Sequence, residues 1–206
     1  MLLHTMTETE IINEVEKDLR WLLAEAFANE SRATRKISKF NRKKFPASVT
    51  YKYTTPNYNC AYVTYIYVAT RTKTDCYLKF NILMKTGDGR YKVLEVTYKP
   101  DHTLEIITIF SAHFFERYVE RLNIKQSGIG VVEHFIKHYY HGTFHCKDEQ
   151  VFEPYPFGVG LGNWSGGKIM YINTFIANDM FFKEQQELAN IITTQHNPSW
   201  KMVTIL

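Results

Sequence analysis

Between Val49 and Phe110 the hydrophobic pattern of the chain has a period of two, and this constrains the fold more than any other feature. Val49-Thr50-Tyr51-Lys52-Tyr53 alternates, Ala61 to Thr70 is dense in Tyr, Val and Ile, and Cys76 to Met84 continues the theme. Tyr91 to Tyr98 and Leu104 to Phe110 complete the series. Residues two apart share a face of a strand, so such runs read as half-buried β-structure. The breaks between them carry turn chemistry: Pro56-Asn57, Gly87-Asp88-Gly89 and Pro100-Asp101. Four or five strands joined by short turns predict an antiparallel meander. The 14 Tyr and 14 Phe suit its faces.

Helical spacing appears on either side. Thr7 and Glu10 form a capping box, behind which Ile11, Ile12, Val15, Leu19, Leu22, Leu23 and Ala26 recur every three or four residues. That helix is predicted to end near Asn29. After the meander, Ser111 is the expected N-cap of a helix reaching about Asn123, and a second helix spans Gly128 to His141, with Gly142 as its stop. A hairpin follows, Phe157–Gly162 and Lys168–Ile176, turning at Asn163-Trp164-Ser165-Gly166-Gly167. Asn178 or Asp179 is placed to cap a last helix reaching roughly Gln195, before Pro198. The predicted class is α+β: an antiparallel sheet, made of a meander and a later hairpin, packed by helices. Residues 1–30 form the N-terminal helix, 31–46 a basic segment and 47–206 an α+β domain, one folded unit with that helix.

A chain of 206 residues with 45% hydrophobic content fits one ordinary domain with an ample core. Cys60, Cys76 and Cys146 are odd in number and far apart, with no CxxC pair, which argues against a disulfide scaffold and a zinc ribbon. The first residues lack a signal-peptide layout, and no apolar run approaches the length of a membrane span, so a reducing cytoplasm is expected.

The net charge of +4 is mild, but its distribution is not. Arg32, Arg35, Lys36, Lys39, Arg42, Lys43 and Lys44 follow one another without an intervening acid, interleaved with Phe40. Such a run suits a phosphate backbone, with Arg35, Lys36, Lys39, Arg42, Lys43 and Lys44 as the contacts. A solvated basic turn and an acidic protein partner remain open alternatives.

The sharpest chemical signal lies at the start of the Ser111 helix. His113, Arg117 and Arg121 are spaced by four along one narrow polar stripe, with Glu116 and Glu120 beside them. An imidazole moves protons near neutral pH, and guanidinium groups hold phosphate oxygens in a fork. A solvated helix flank is the alternative. Thr174 interrupts an apolar strand, and would reach a phosphate if that strand lay beside the His113 helix; cross-strand pairing is its other reading.

Two further patterns are weaker. His134, His138 and His141 follow i, i+4, i+7 spacing, with His145 beyond, but no HExxH is present, so no metal site is assigned. The glycines at 158, 160, 162, 166 and 167 match no nucleotide-binding template and read as a twisted or bulged hairpin.

A strand ending in Ser-x-His, a helix reading His-x-x-x-Arg-x-x-x-Arg, a second helix, then a hairpin whose last strand carries Thr resembles a known group. It is similar to metal-independent ribonuclease toxins of the barnase–EndoU–colicin–RelE superfamily, over roughly Leu104 to Ile176. The resemblance implies catalytic roles for His113, Arg117, Arg121 and Thr174, and no cofactor. A base would remove the 2′-hydroxyl proton, the oxygen would attack phosphorus, and cations would stabilise the phosphorane. The expected function is that of an RNA-acting protein, a metal-independent endoribonuclease of toxin type. The alternative is a non-catalytic nucleic-acid or protein-binding module. RNA and an inhibitory protein are the expected partners.

Overall fold

The computed structural model describes residues 1–37, 47–69, 74–138, 144–155, 157–164 and 166–181. The fold is α+β. Helix α1 (Glu8–Ile37) precedes strands β1 (Ala47–Thr54), β2 (Cys60–Ala69), β3 (Thr74–Lys85), β4 (Tyr91–Tyr98) and β5 (Leu104–Phe110). Helices α2 (Ala112–Leu122) and α3 (Ile129–His138) follow, then β6 (His145–Lys147), β7 (Gln150–Tyr155), β8 (Gly158–Asn163) and β9 (Ile169–Ala177). The described strands form one sheet in the order β1-β2-β3-β4-β5-β9-β8-β7-β6.

The meander is present, with β1 to β5 paired in sequence and antiparallel. Its turns close as their residues dictate: Thr86 N–H donates to Arg90 O at 2.8 Å, and Gly89 sits at φ 83°. The later hairpin joins the meander rather than standing apart. β9 runs parallel to β5, from Ile107 opposite Ile169 to Phe110 opposite Ile172. The β8–β9 ladder is bulged between Leu161 and Gly162, with Asn173 of β9 as the extra residue, and a Cβ on Gly162 would run into the Tyr171 backbone.

Several boundaries differ from expectation. α1 passes Asn29 and ends at Ile37, because buried Ala33 and Ile37 continue its apolar stripe, so Arg32, Arg35 and Lys36 are helical. β6 and β7 were not anticipated. Their connection passes through Asp148 and Glu149, both at positive φ, and its polar residues hide the hairpin. The expected helix toward Gln195 lies outside the described residues, which end in a short 3₁₀ turn at Asn178–Met180. No described helix is long and apolar enough to cross a membrane.

The two faces of the sheet carry separate cores. On one, Val15, Leu19, Leu22 and Ala26 of α1 pack on Val63, Tyr65, Phe80, Ile82 and Leu94. On the other, Phe114, Tyr118 and Phe135 of α2 and α3 pack on Phe110, Tyr155 and Phe175. The sheet curls around α3. Tyr62 on β2 donates to Glu133 Oε1 at 2.8 Å, while Tyr155 on β7 meets Phe135, with ring centroids 5.9 Å apart. In a flat sheet those strands would stand roughly 29 Å apart, at about 4.8 Å per strand. A helix with its side chains is only about 10–12 Å across. The face bearing α2 and α3 is therefore a trough.

Candidate functional site

Ser111 caps α2: its Oγ accepts from Phe114 N at 3.1 Å and donates to Asn173 O at 3.0 Å. Ser111 N–H also donates to Ile172 O at 3.0 Å, so the start of α2 is fastened to β9. This places His113 on an exposed first turn. His113 Nδ1 lies 3.2 Å from Glu116 Oε2, and Arg90 pairs with the other oxygen of the same carboxylate. Hydrogen bonds from His113 and Arg90 hold the Glu116 carboxyl below its ordinary range. Arg117 Nη1 donates to Glu120 Oε2 at 2.6 Å, and Arg121 Nη1 donates to the backbone carbonyl of Phe175. The polar stripe exists, but each member is already engaged within the molecule.

β9 does lie beside α2, as the Thr174 reading required. The bulge nevertheless leaves Ile172, Phe175 and Ala177 in the α2 core, so Thr174, adjacent to Phe175, faces away from it. His113, Arg117 and Arg121 share one helix; Thr174 does not join them.

The basic segment is described only to Ile37; Lys39, Arg42, Lys43 and Lys44 lie outside the described residues. At the end of α1, Lys36 Nζ stands 4.6 Å and Arg32 Cζ 5.5 Å from the centroid of Tyr51 on β1. One aromatic face thus orders two cations at the sheet edge. Arg35 Nε donates to Ser31 O at 3.3 Å. This end of α1 and the His113 stripe belong to helices on opposite faces of the sheet.

Of the histidine stripe, His134 and His138 stack with ring centroids 4.2 Å apart. His134 Nδ1 is 3.0 Å from Tyr118 Oη, and His138 Nδ1 bonds to His134 O at 2.8 Å. Burial, with the nearby His138 and Lys137 charges, lowers the His134 pKa. His141 lies outside the described residues, and among those described no three His, Cys, Asp or Glu side chains group as metal ligands.

A cluster that the sequence reading passed over lies in the trough. Lys79 and Glu95 are buried, with Nζ and Oε2 2.7 Å apart. Glu95 stands directly across from Asn81 on β3 and from Thr108 on β5, so these three share one face. Asn81 is 1% exposed, and neither its amide nitrogen nor its oxygen has a hydrogen-bond partner. Glu153 on β7 is 2% exposed and accepts from Tyr155 Oη at 3.2 Å. Its charge acts on Lys79 across the trough. Burial pushes the Lys79 pKa down and the Glu95 pKa up, each opposed by the partner's charge. The available signal was charged residues inside otherwise apolar strands, Lys79-Phe80-Asn81 and Leu94-Glu95-Val96.

Comparison of the chain with protein-family models, curated proteins and solved structures finds no match.

Proposed function

We propose that the protein acts on RNA, binding it through the cationic end of α1 and the basic run that follows it in sequence. The observation that carries this reading is the ordering of Lys36 and Arg32 on the Tyr51 ring. Cations held on a rigid aromatic face lose less side-chain entropy on meeting a phosphate than free ones do. Seven cations between Arg32 and Lys44 without an acid supply the remaining attraction.

A second reading, metal-independent cleavage of toxin type, draws support from the His113–Glu116 pair. A carboxylate on Nδ1 orients the imidazole and leaves Nε2 for a substrate proton. Against it stand the internal engagements of Arg117 and Arg121, which must be exchanged before either clamps a phosphate. Binding is the reading that the geometry supports better.

Incubating labelled RNA with the full chain, with and without EDTA, separates the two. Binding without cleavage, weakening steeply with salt, is the expected result. Replacing Lys39, Arg42, Lys43 and Lys44 with Ala should flatten the salt dependence; an unchanged slope removes the basic run from the interface. EDTA-resistant cleavage, lost in His113→Ala while RNA binding persists, would establish the second reading instead.

A further inference from the structure

His134 and His138 stand four residues apart on α3, so they share one face of the helix. Their rings stack, with planes 26° apart and centroids 4.2 Å apart. His134 is half-buried and His138 exposed, so the pair borders solvent. Each ring is held through Nδ1, His134 by Tyr118 Oη at 3.0 Å and His138 by donating to the His134 carbonyl at 2.8 Å. A carbonyl only accepts, so the neutral His138 ring has its proton on Nδ1 and its lone pair on Nε2. A backbone carbonyl on one ring nitrogen is a common means of orienting a histidine that ligates a metal through the other. Among the described residues, neither Nε2 has a hydrogen-bond partner.

We propose that His134 and His138 together hold one divalent transition-metal ion, of the Zn²⁺ or Ni²⁺ kind, through their two Nε2 atoms. Two nitrogens bound tetrahedrally at about 2.1 Å stand roughly 3.4 Å apart. The spacing of the stacked rings is close to this, and a small rotation of the exposed His138 side chain closes the chelate. Imidazole nitrogen favours such ions over Mg²⁺ and Ca²⁺, which take oxygen ligands. Two protein ligands leave the other coordination positions to water, and the Lys137 charge, which reaches His134, opposes a second cation. Both features make the ion exchangeable rather than a fixed part of the fold. Once bound, it ties the last turn of α3 to the turn that meets Tyr118 of α2. The site is remote from the cationic end of α1, whose helix packs on the other face of the sheet, and the inference does not rest on RNA binding.

The test is calorimetric titration of the tag-free full chain with ZnCl₂, NiCl₂ and MgCl₂. Saturable binding of Ni²⁺ or Zn²⁺, with one ion per chain in the tightest phase and no binding of Mg²⁺, is expected. His134→Gln and His138→Gln should each weaken that phase at least tenfold, because one imidazole alone cannot chelate. Glutamine is a good helix former, so α3 keeps its propensity in both variants. In the parent protein, paramagnetic Ni²⁺ added below one equivalent should broaden the backbone amide resonances of Ile129–His138 before any others. A parent that binds neither Ni²⁺ nor Zn²⁺ overturns the proposal, as does either Gln variant that binds as tightly as the parent. Broadening that begins outside Ile129–His138 overturns it too, and this measurement decides the matter even where a variant does not fold.

Discussion

Tyr62 Oη donates to Glu133 Oε1 at 2.8 Å, and this bond joins the second strand of the sheet to the helix in its trough. Lys52 Nζ on the neighbouring strand stands 3.7 Å from the same oxygen. Burial, reinforced by the Glu133 carboxylate, keeps the Tyr62 phenol protonated far above its usual range, so it remains a donor at any working pH. Tyr62→Phe should cost about 1.5–3 kcal/mol, the value of a hydrogen bond to a charged group. Urea unfolding measures it, and hydrogen exchange should show the loss concentrated in Ile129–His138.

Asp18 of α1 is 1% exposed, and its two oxygens accept from Asn57 at 2.9 Å and Asn59 at 2.6 Å. These bonds fasten the β1–β2 turn to α1. Asp18→Ala should destabilise the protein by about 1–3 kcal/mol or more, because it leaves both amides short of an acceptor. A denaturation midpoint equal to that of the parent would show that solvent replaces the carboxylate.

His134 has a lowered pKa in the folded state, so the unfolded chain protonates first as pH falls. Below about 6.5, the ordinary imidazole value, the unfolded state therefore binds more protons and stability is lost. Groups facing the ring are His138, Lys137 and Tyr118. His134→Gln should reduce the fall in Tm between pH 7.5 and pH 5.5 relative to the parent. Parallel Tm profiles for the two proteins would remove His134 from the acid response.

Ser111 serves two elements, capping α2 and donating to β9. Ser111→Ala should cost about 1–2 kcal/mol, a cap together with one further hydrogen bond. Ser111→Asp should restore the cap but not the bond to Asn173 O, and so recover only part of the loss. Chemical denaturation of the two variants separates the contributions.

The meander was legible because its strands pair with their sequence neighbours, and three of its four connections, at residues 55–59, 86–90 and 99–103, are written in Pro, Asn, Asp or Gly. The helices flanking it were legible through capping residues, Thr7 with Glu10 and Ser111 with the Phe114 amide. The last turns of α1 were not, because Arg32, Arg35 and Lys36 dominate the eye while Ala33 and Ile37 carry the burial. The pairing of β5 with β9 depends on contacts far apart in sequence, which no local pattern encodes. The same holds for the trough. Lys79, Asn81 and Glu95 occupy polar positions in alternating strands, and such positions read as solvent-facing until the curl of the sheet covers them.

The parallel seam between β5 and β9 has a kinetic consequence. Every other strand pair in the described sheet joins consecutive strands, whereas this one brings Ile107 opposite Ile169. Two ladders, β1–β5 and β6–β9, can each zip by short steps, but joining them requires one long loop to close. Loop closure of that kind slows folding relative to local pairing. The route to the native state therefore has its bottleneck at residues 107–110 and 169–172, and until those backbones meet, both ladders carry a bare edge open to another chain.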